Sequence, residues 1–119
     1  MSNSIESFIE KITYQPQQLS FAETLAVIDH NYEFTETGFN NGDQRNEAGQ
    51  NSGSCKVFAF AKLHELSKQQ TLSMFAQYYR DDVLGKPDGD DHQNIRQFMR
   101  YGFAGISFDA VALQPISQC

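Results

Sequence analysis

Residues 39–60 read FNNGDQRNEAGQNSGSCKVFAF, an almost wholly polar run that turns into an almost wholly apolar one. Four of the chain's eight glycines fall here or at its edge (Gly38, Gly42, Gly49, Gly53), mixed with Asn40, Asn41, Asn46 and Asn51. Gly enters positive φ freely and Asn tolerates it better than most residues. Asn41-Gly42 is a strong turn dipeptide. The first half is read as a long ordered loop, because its polar residues are varied and are neither a repeat nor a charge run. The second half is read as a buried central helix. Asn51, Ser52 and Ser54 are N-cap candidates, and residues 55–66 are apolar nearly all round.

A polar loop feeding a helix N-terminus is receptive to anions, through free amides and the positive end of the dipole. Cys55 in the first turn would have its thiol pKa lowered there if exposed. A capped core helix with Cys55 packed as a small hydrophobe is preferred to the anion pocket, and that to a reactive Cys. As nucleophile, Cys55 would need His64 or His92 as base. His64 lies about 13 Å along the helix at ~1.5 Å per residue, which leaves His92.

The stretch 39–60 resembles the signature block of the HopJ type III effector family. The later run FAQYYRDDVLGKPDGDDHQNIRQFMRYGFAGISF, residues 75–108, is similar to that family's second half. The likeness covers Phe39 to Phe108 and, with the N-terminal helices, extends to the whole chain as one HopJ-like domain, 1–119. It implies a bacterial protein and an effector by name, but no catalytic residues and no cofactor.

The totals agree with a compact domain. The chain has 119 residues, 39% of them apolar, with ten Phe and five Tyr for core bulk. Nine basic against fifteen acidic residues give −6, which argues against nucleic acid and anionic membrane as partners. No run is long enough to span a bilayer, and the start lacks a secretory signal. Two cysteines, Cys55 and Cys119, form no disulfide framework. A cytoplasmic protein is expected, with type III export compatible.

Around the central helix, four further helices complete a mainly α expectation of about five. The first spans about 4–13, with Ile5, Phe8, Ile9 and Ile12 on one face and Asn3 with Glu6 as a capping box. The second starts at Ser20, with Glu23 completing a box, and buries Phe21, Leu25, Ile28 and Tyr32. His30 is read as a surface residue near its end, and 32–37 as a short extended piece. After a polar connection at 67–70, a fourth helix runs about 71–84 and stops at Gly85-Lys86-Pro87. The fifth runs about 92–101, burying Ile95, Phe98 and Met99. Residues 103–111 are extended or a short helix, and residues 1–3 and 114–119 are expected to be loose. The acidic run 88–92 is read as a cap of the fifth helix rather than a metal loop, since it lacks calcium-hand spacing.

The candidate ligand-binding set is Asn40, Asn41, Asp43, Arg45, Asn46, Glu47, Asn51 and Ser54, roofed by Arg80 (reaching Glu47 or Asp43), Tyr79 and His92. The leading reading is a binding or interaction protein that uses loop 39–54 for a small polar or anionic ligand, or for a host or bacterial protein. The alternative is a Cys55-dependent hydrolase or transferase with His92 as base. A third is that the loop only shapes the fold. No metal or cofactor is expected.

Overall fold

The computed structural model describes residues 4–116. The N-terminal half holds α1 (Ile5–Tyr14), α2 (Phe21–Asn31), β1 (Tyr32–Phe34), β2 (Phe39–Asn41) and β3 (Gln44–Asn46). Then come α3 (Ser52–Leu63), α4 (Lys68–Met74), a π-helical segment (Tyr78–Val83), α5 (Gln93–Tyr101), β4 (Ile106–Phe108) and β5 (Leu113–Pro115). The mainly α expectation is therefore wrong: the fold is mixed α/β. β1 pairs antiparallel with β5, and β2 stands between β3 and β4 in a second antiparallel sheet.

The expected loop is a hairpin. Gly42 and Asp43 form its two-residue turn, with Gly42 at φ +59°, which suits Gly as the first turn residue. A Cβ at Gly42 would clash with the Tyr101 ring, so the hairpin tip also needs Gly for its close approach to α5. Its second neighbour, β4, arrives from more than sixty residues away in sequence (Asn40 opposite Ser107). Residues 114 and 115, expected to be loose, lie in β5 opposite Glu33 and Tyr32. Residues 1–3 and 117–119, including the proposed Asn3 cap, lie outside the described residues.

Local cap chemistry explains most helix starts. Ser4 and Ser20 oxygens accept from the amides of Ser7 and Glu23. Glu23 does not close its box; its carboxylate takes Lys11 Nζ at 2.8 Å instead. The complete capping box is Ser67–Gln70, in a stretch read as a connection.

The expected helix 71–84 is broken. Ala76 sits at φ +56° with its side chain buried, ending α4. The ladder resumes with Arg80 N donating to the Ala76 carbonyl, 2.9 Å, and the π-helical segment ends on an i→i+5 bond from Leu84 N to Tyr79 O, 3.0 Å. Thr24 Oγ1 donates to the Met74 carbonyl at the break, 2.8 Å, and Gln77 Oε1 accepts from Phe21 N, 2.9 Å. Tertiary packing against α2 thus satisfies what the interruption leaves open.

α3 is the buried central helix that the apolar pattern implies. Val57, Phe58, Phe60 and Ala61 are wholly buried. Phe58 packs against Phe39, Phe75 and Phe98 at centroid distances of 6.2, 5.5 and 5.0 Å. It therefore joins β2, α4 and α5. Phe60 meets Phe8, Tyr32 and His64 on the opposite side. Among the described residues no helix is long and apolar enough to cross a membrane.

Phe58→Ala should lower unfolding free energy by about 3–5 kcal/mol, read from urea melts. His64 gives a pH test. Burial pushes the Tyr32 pKa up, and its hydroxyl shares a hydrogen bond with His64 Nε2, 2.7 Å. Burial also pushes the His64 pKa down, so the fold favours the neutral ring. Its contribution is complete above about pH 6.5, the unfolded value, and is lost as pH falls through the lower folded value. Urea midpoints at pH 7.5 and pH 5 should differ more for the native chain than for His64→Gln.

Candidate functional site

Two asparagines of the hairpin face inward. Asn41 and Asn46 are fully buried, and both meet Asn94 of α5. Asn46 and Asn94 exchange reciprocal amide bonds of 3.0 Å each. Asn41 Nδ2 donates to the Asn94 carbonyl at 2.7 Å and to its Oδ1 at 3.0 Å. Asn51 Nδ2 donates to Asn46 Oδ1 at 2.7 Å. Asn41 Oδ1 is buried without a partner among the described residues. The network ties the hairpin to the starts of α3 and α5.

The remaining candidates divide. Asn40 donates to Ser107 Oγ, 3.3 Å, within the sheet. Asp43 accepts from the Tyr101 hydroxyl, 3.0 Å. Arg45 makes an exposed ion pair with Asp109, 2.6 Å, and a longer one with Glu47, 3.3 Å. Hydrogen bonds to Asp109 and then Glu47 push the Arg45 pKa up, and the same guanidinium holds Asp109 below the usual carboxylate range. Arg80 does not roof the loop, as expected of it. Its Nη1 donates to the carbonyls of Pro16 and Leu19, both at 3.0 Å, bracing the α1–α2 connection.

The structure does bring Asn51, Ser54 and His92 together, at a cleft of about 370 Å³. Gln44, Gln93 and Asn94 supply further polar lining, and Phe21, Phe75 and Tyr78 an aromatic side. Both α3 and α5 begin here. Each follows a left-handed residue, Asn51 at φ 53° and His92 at φ 51°, and neither has a side-chain cap. In α3 the first amide with an intrahelical partner is that of Cys55, and in α5 that of Ile95. The amides of Ser52, Gly53, Ser54, Gln93 and Asn94 precede them, in the turn where helix donors are orphaned. Two positive dipole ends thus converge on one opening.

His92 forms the cleft's edge. Its ring stacks on Tyr78 at 5.2 Å, and Nε2 lies 2.9 Å from Asp82 Oδ2. The π-helical turn places both partners. Asp91 pairs with Arg96 at 2.7 Å, which holds its carboxyl below the usual range. The acidic run does not cap α5 as expected: His92 is the N-cap residue, no side chain caps the helix, and Asp91 pairs with Arg96 instead. Among the described residues no group of three or more His, Cys, Asp or Glu is placed to hold a metal ion.

Cys55 is not the activated thiol of the alternative reading. It lies one turn inside α3 and 1% exposed, and burial pushes its pKa up to about 11. His92, its candidate base, is engaged with Asp82.

Sequence reading missed Gln44, Tyr78, Asp82 and above all Asn94. The signal for Asn94 was its i, i+4 spacing to Phe98, which puts an amide on the buried stripe of α5.

Comparison with known proteins follows the same outline. The sequence pattern of the family described as HopJ type III effector protein matches residues 5–113. A comparison with curated proteins gives no match. Among solved structures, the crystal structure of VPA0580, a protein of unknown function, is 44% identical with a TM-score of 0.93. The match covers 98% of this chain and 97% of that one, so the two share one fold over nearly their whole length.

Asn46→Ala should destabilise by about 3 kcal/mol in denaturant melts, because it strands buried amide groups of Asn94. Asn40→Ala should stay within about 0.5 kcal/mol. With Cys119→Ser as background, Cys55 should resist alkylation at pH 8 in the folded protein and react freely in urea.

Proposed function

Since the chain belongs to the HopJ type III effector protein family, we propose that it acts as a binding protein. Its cleft beside the 39–54 hairpin takes a small polar or anionic molecule. The single observation behind this reading is the convergence of α3 and α5, both without side-chain caps, on one opening. Unpartnered amides at a helix start, backed by the dipole, are donors suited to an acceptor group.

The reading changes the part played by the asparagines. Asn41 and Asn46 hold the hairpin in place and do not reach the ligand; Asn51, Ser54, Gln93 and Asn94 surround it. A protein partner, host or bacterial, remains within the reading where it inserts a side chain or terminus into the same cleft. Export through a type III system belongs to the proposal too, on the strength of the family's description.

Amide NMR against a library of small polar fragments tests the binding reading. Binding fragments should shift Ser52, Gly53, Ser54, Gln93 and Asn94 together. Hits scattered over other surfaces, or none, would discard it. The cleft is also open to blocking. A Cβ at Gly53 would meet the Phe21 ring at 3.1 Å, so Gly53→Val should abolish the shifts while circular dichroism stays that of the native fold.

A further inference from the structure

We propose that the chain carries a second binding surface away from the cleft, an apolar groove with a lysine at its rim, which docks a short acidic and apolar peptide segment of another protein. The groove, of about 240 Å³, runs between α3 and the connection from β4 to β5. Ala59 and Leu63 line it from the helix, and Phe108, Val111 and Leu113 from the other side. Lys62 stands among them, and none of these residues lines the cleft.

Exposure sets this groove apart. A single exposed apolar residue is ordinary, whereas apolar side chains exposed beside one another mark a contact surface. Leu63 and Val111 are 53% and 62% exposed, and both face this one groove. The other large exposed apolar residues, Tyr14, Leu84, Tyr101 and Ile116, have no part in it. On α3, Ala59, Lys62 and Leu63 follow i, i+3, i+4 spacing and so share a face. The small side chain of Ala59 leaves depth between Leu63 and Leu113 that a partner's side chain would fill. The exposed rim suits a segment lying across the groove better than a small molecule enclosed in it.

Charge complementarity names the occupant. The chain as a whole carries −6, yet α3 holds Lys56 and Lys62 and no Asp or Glu. Lys56 is committed to Asp29 at 2.8 Å. Lys62 is not: its Nζ lies over the Phe108 ring, 5.7 Å from the centroid, and makes no ion pair or hydrogen bond among the described residues. Neighbouring carboxylates do not serve it. Glu65 stands past the helix end in left-handed backbone, at φ 52°, and Asp109 pairs with Arg45 at 2.6 Å. No carboxylate lines the groove. A second copy of the chain docking by a two-fold axis would therefore bring lysine to lysine at this patch. A segment with large apolar residues for Leu63, Val111 and Leu113, and a carboxylate for Lys62, matches both parts of the surface.

Random peptides displayed on phage and selected on the full chain test this. Recurrent sequences should place Asp or Glu within a residue or two of large apolar residues. As synthetic peptides they should shift the amides of 59–63 and 108–113 in NMR titrations and leave Ser52–Ser54 and Gln93–Asn94 unmoved. Lys62→Gln should weaken them about threefold to fivefold, the worth of one exposed ion pair. Leu63→Ser should weaken them by about tenfold or more. Both positions are solvent-facing, and unchanged urea midpoints would show that the fold is kept. Replacing the peptide's carboxylate by its amide should weaken binding to the native chain and not to Lys62→Gln. If the recurrent peptides lack acidic residues, or if that cycle shows no coupling, the acidic partner is overturned. If sedimentation shows a dimer that Leu63→Ser dissociates, a second copy fills the groove and the foreign peptide is overturned. If dodecanoate shifts these amides and no peptide does, the occupant is a lipid and the proposal falls. If nothing selected shifts them, the docking surface falls, and the cleft reading is untouched by any of these results.

Discussion

The reciprocal amide pair between Asn46 and Asn94 is the constraint from which the rest of this molecule can be understood. It closes a polar contact between a hairpin and a helix in a place sealed from water. A buried amide is tolerated only when its donors and acceptors are matched. That matching needs β3 and α5 in one relative position. Asn41 and Asn51 extend the constraint to β2 and to the residue before α3. An apolar contact at this junction would permit small slips; a set of matched amides does not.

Fixing those elements also fixes where α3 and α5 begin. Asn51, in left-handed backbone, turns its side chain toward Asn46, to which Nδ2 donates, and caps no amide of α3. His92 likewise spends its ring on Asp82 and Tyr78 rather than on the first amides of α5. Both residues adopt left-handed backbone, which costs a non-glycine residue something of order 1 kcal/mol. Two helices thus forgo a cap at adjacent ends, and both ends open on the same cleft. Local stability alone would have favoured a Ser, Thr or Asp cap, as at Ser4, Ser20 and Ser67. The exception is confined to the place where a ligand would find donors waiting.

Much of this was legible in the sequence, and what was not has physical causes. The helix capped by Ser20 and the apolar stripe of α1 could be read from local pattern, and so could the burial of α3, whereas the Ser67 box was passed over as a connection. The strands could not. Each is three residues long, too short for an alternation to register. β2 and β3 carry one inward apolar residue, Phe39; their other inward residues, Asn41 and Asn46, are amides that bond Asn94, so the pair shows no hydrophobic alternation. β4 and β5 find their partners far away in sequence. The break at Ala76 was invisible because tertiary packing overrides helix propensity there. For the site, composition located the stretch, and Asn51, Ser54 and His92 do meet. Arg80 was misplaced because a charged helix position does not reveal which neighbour's carbonyls it will find.

The burial of Cys55 and the openness of the amides just before it are two consequences of one geometry. α3 enters the core within its first turn, so the residue after the free amides is already enclosed by aromatic packing. Burial disfavours a thiolate and removes the reactivity that a helix start would otherwise lend to a cysteine. The same depth leaves the preceding amides beside a partly apolar wall, where hydrogen bonds are stronger than in bulk water. A site of this kind suits recognition rather than nucleophilic chemistry: its donors are backbone groups that neither titrate nor react.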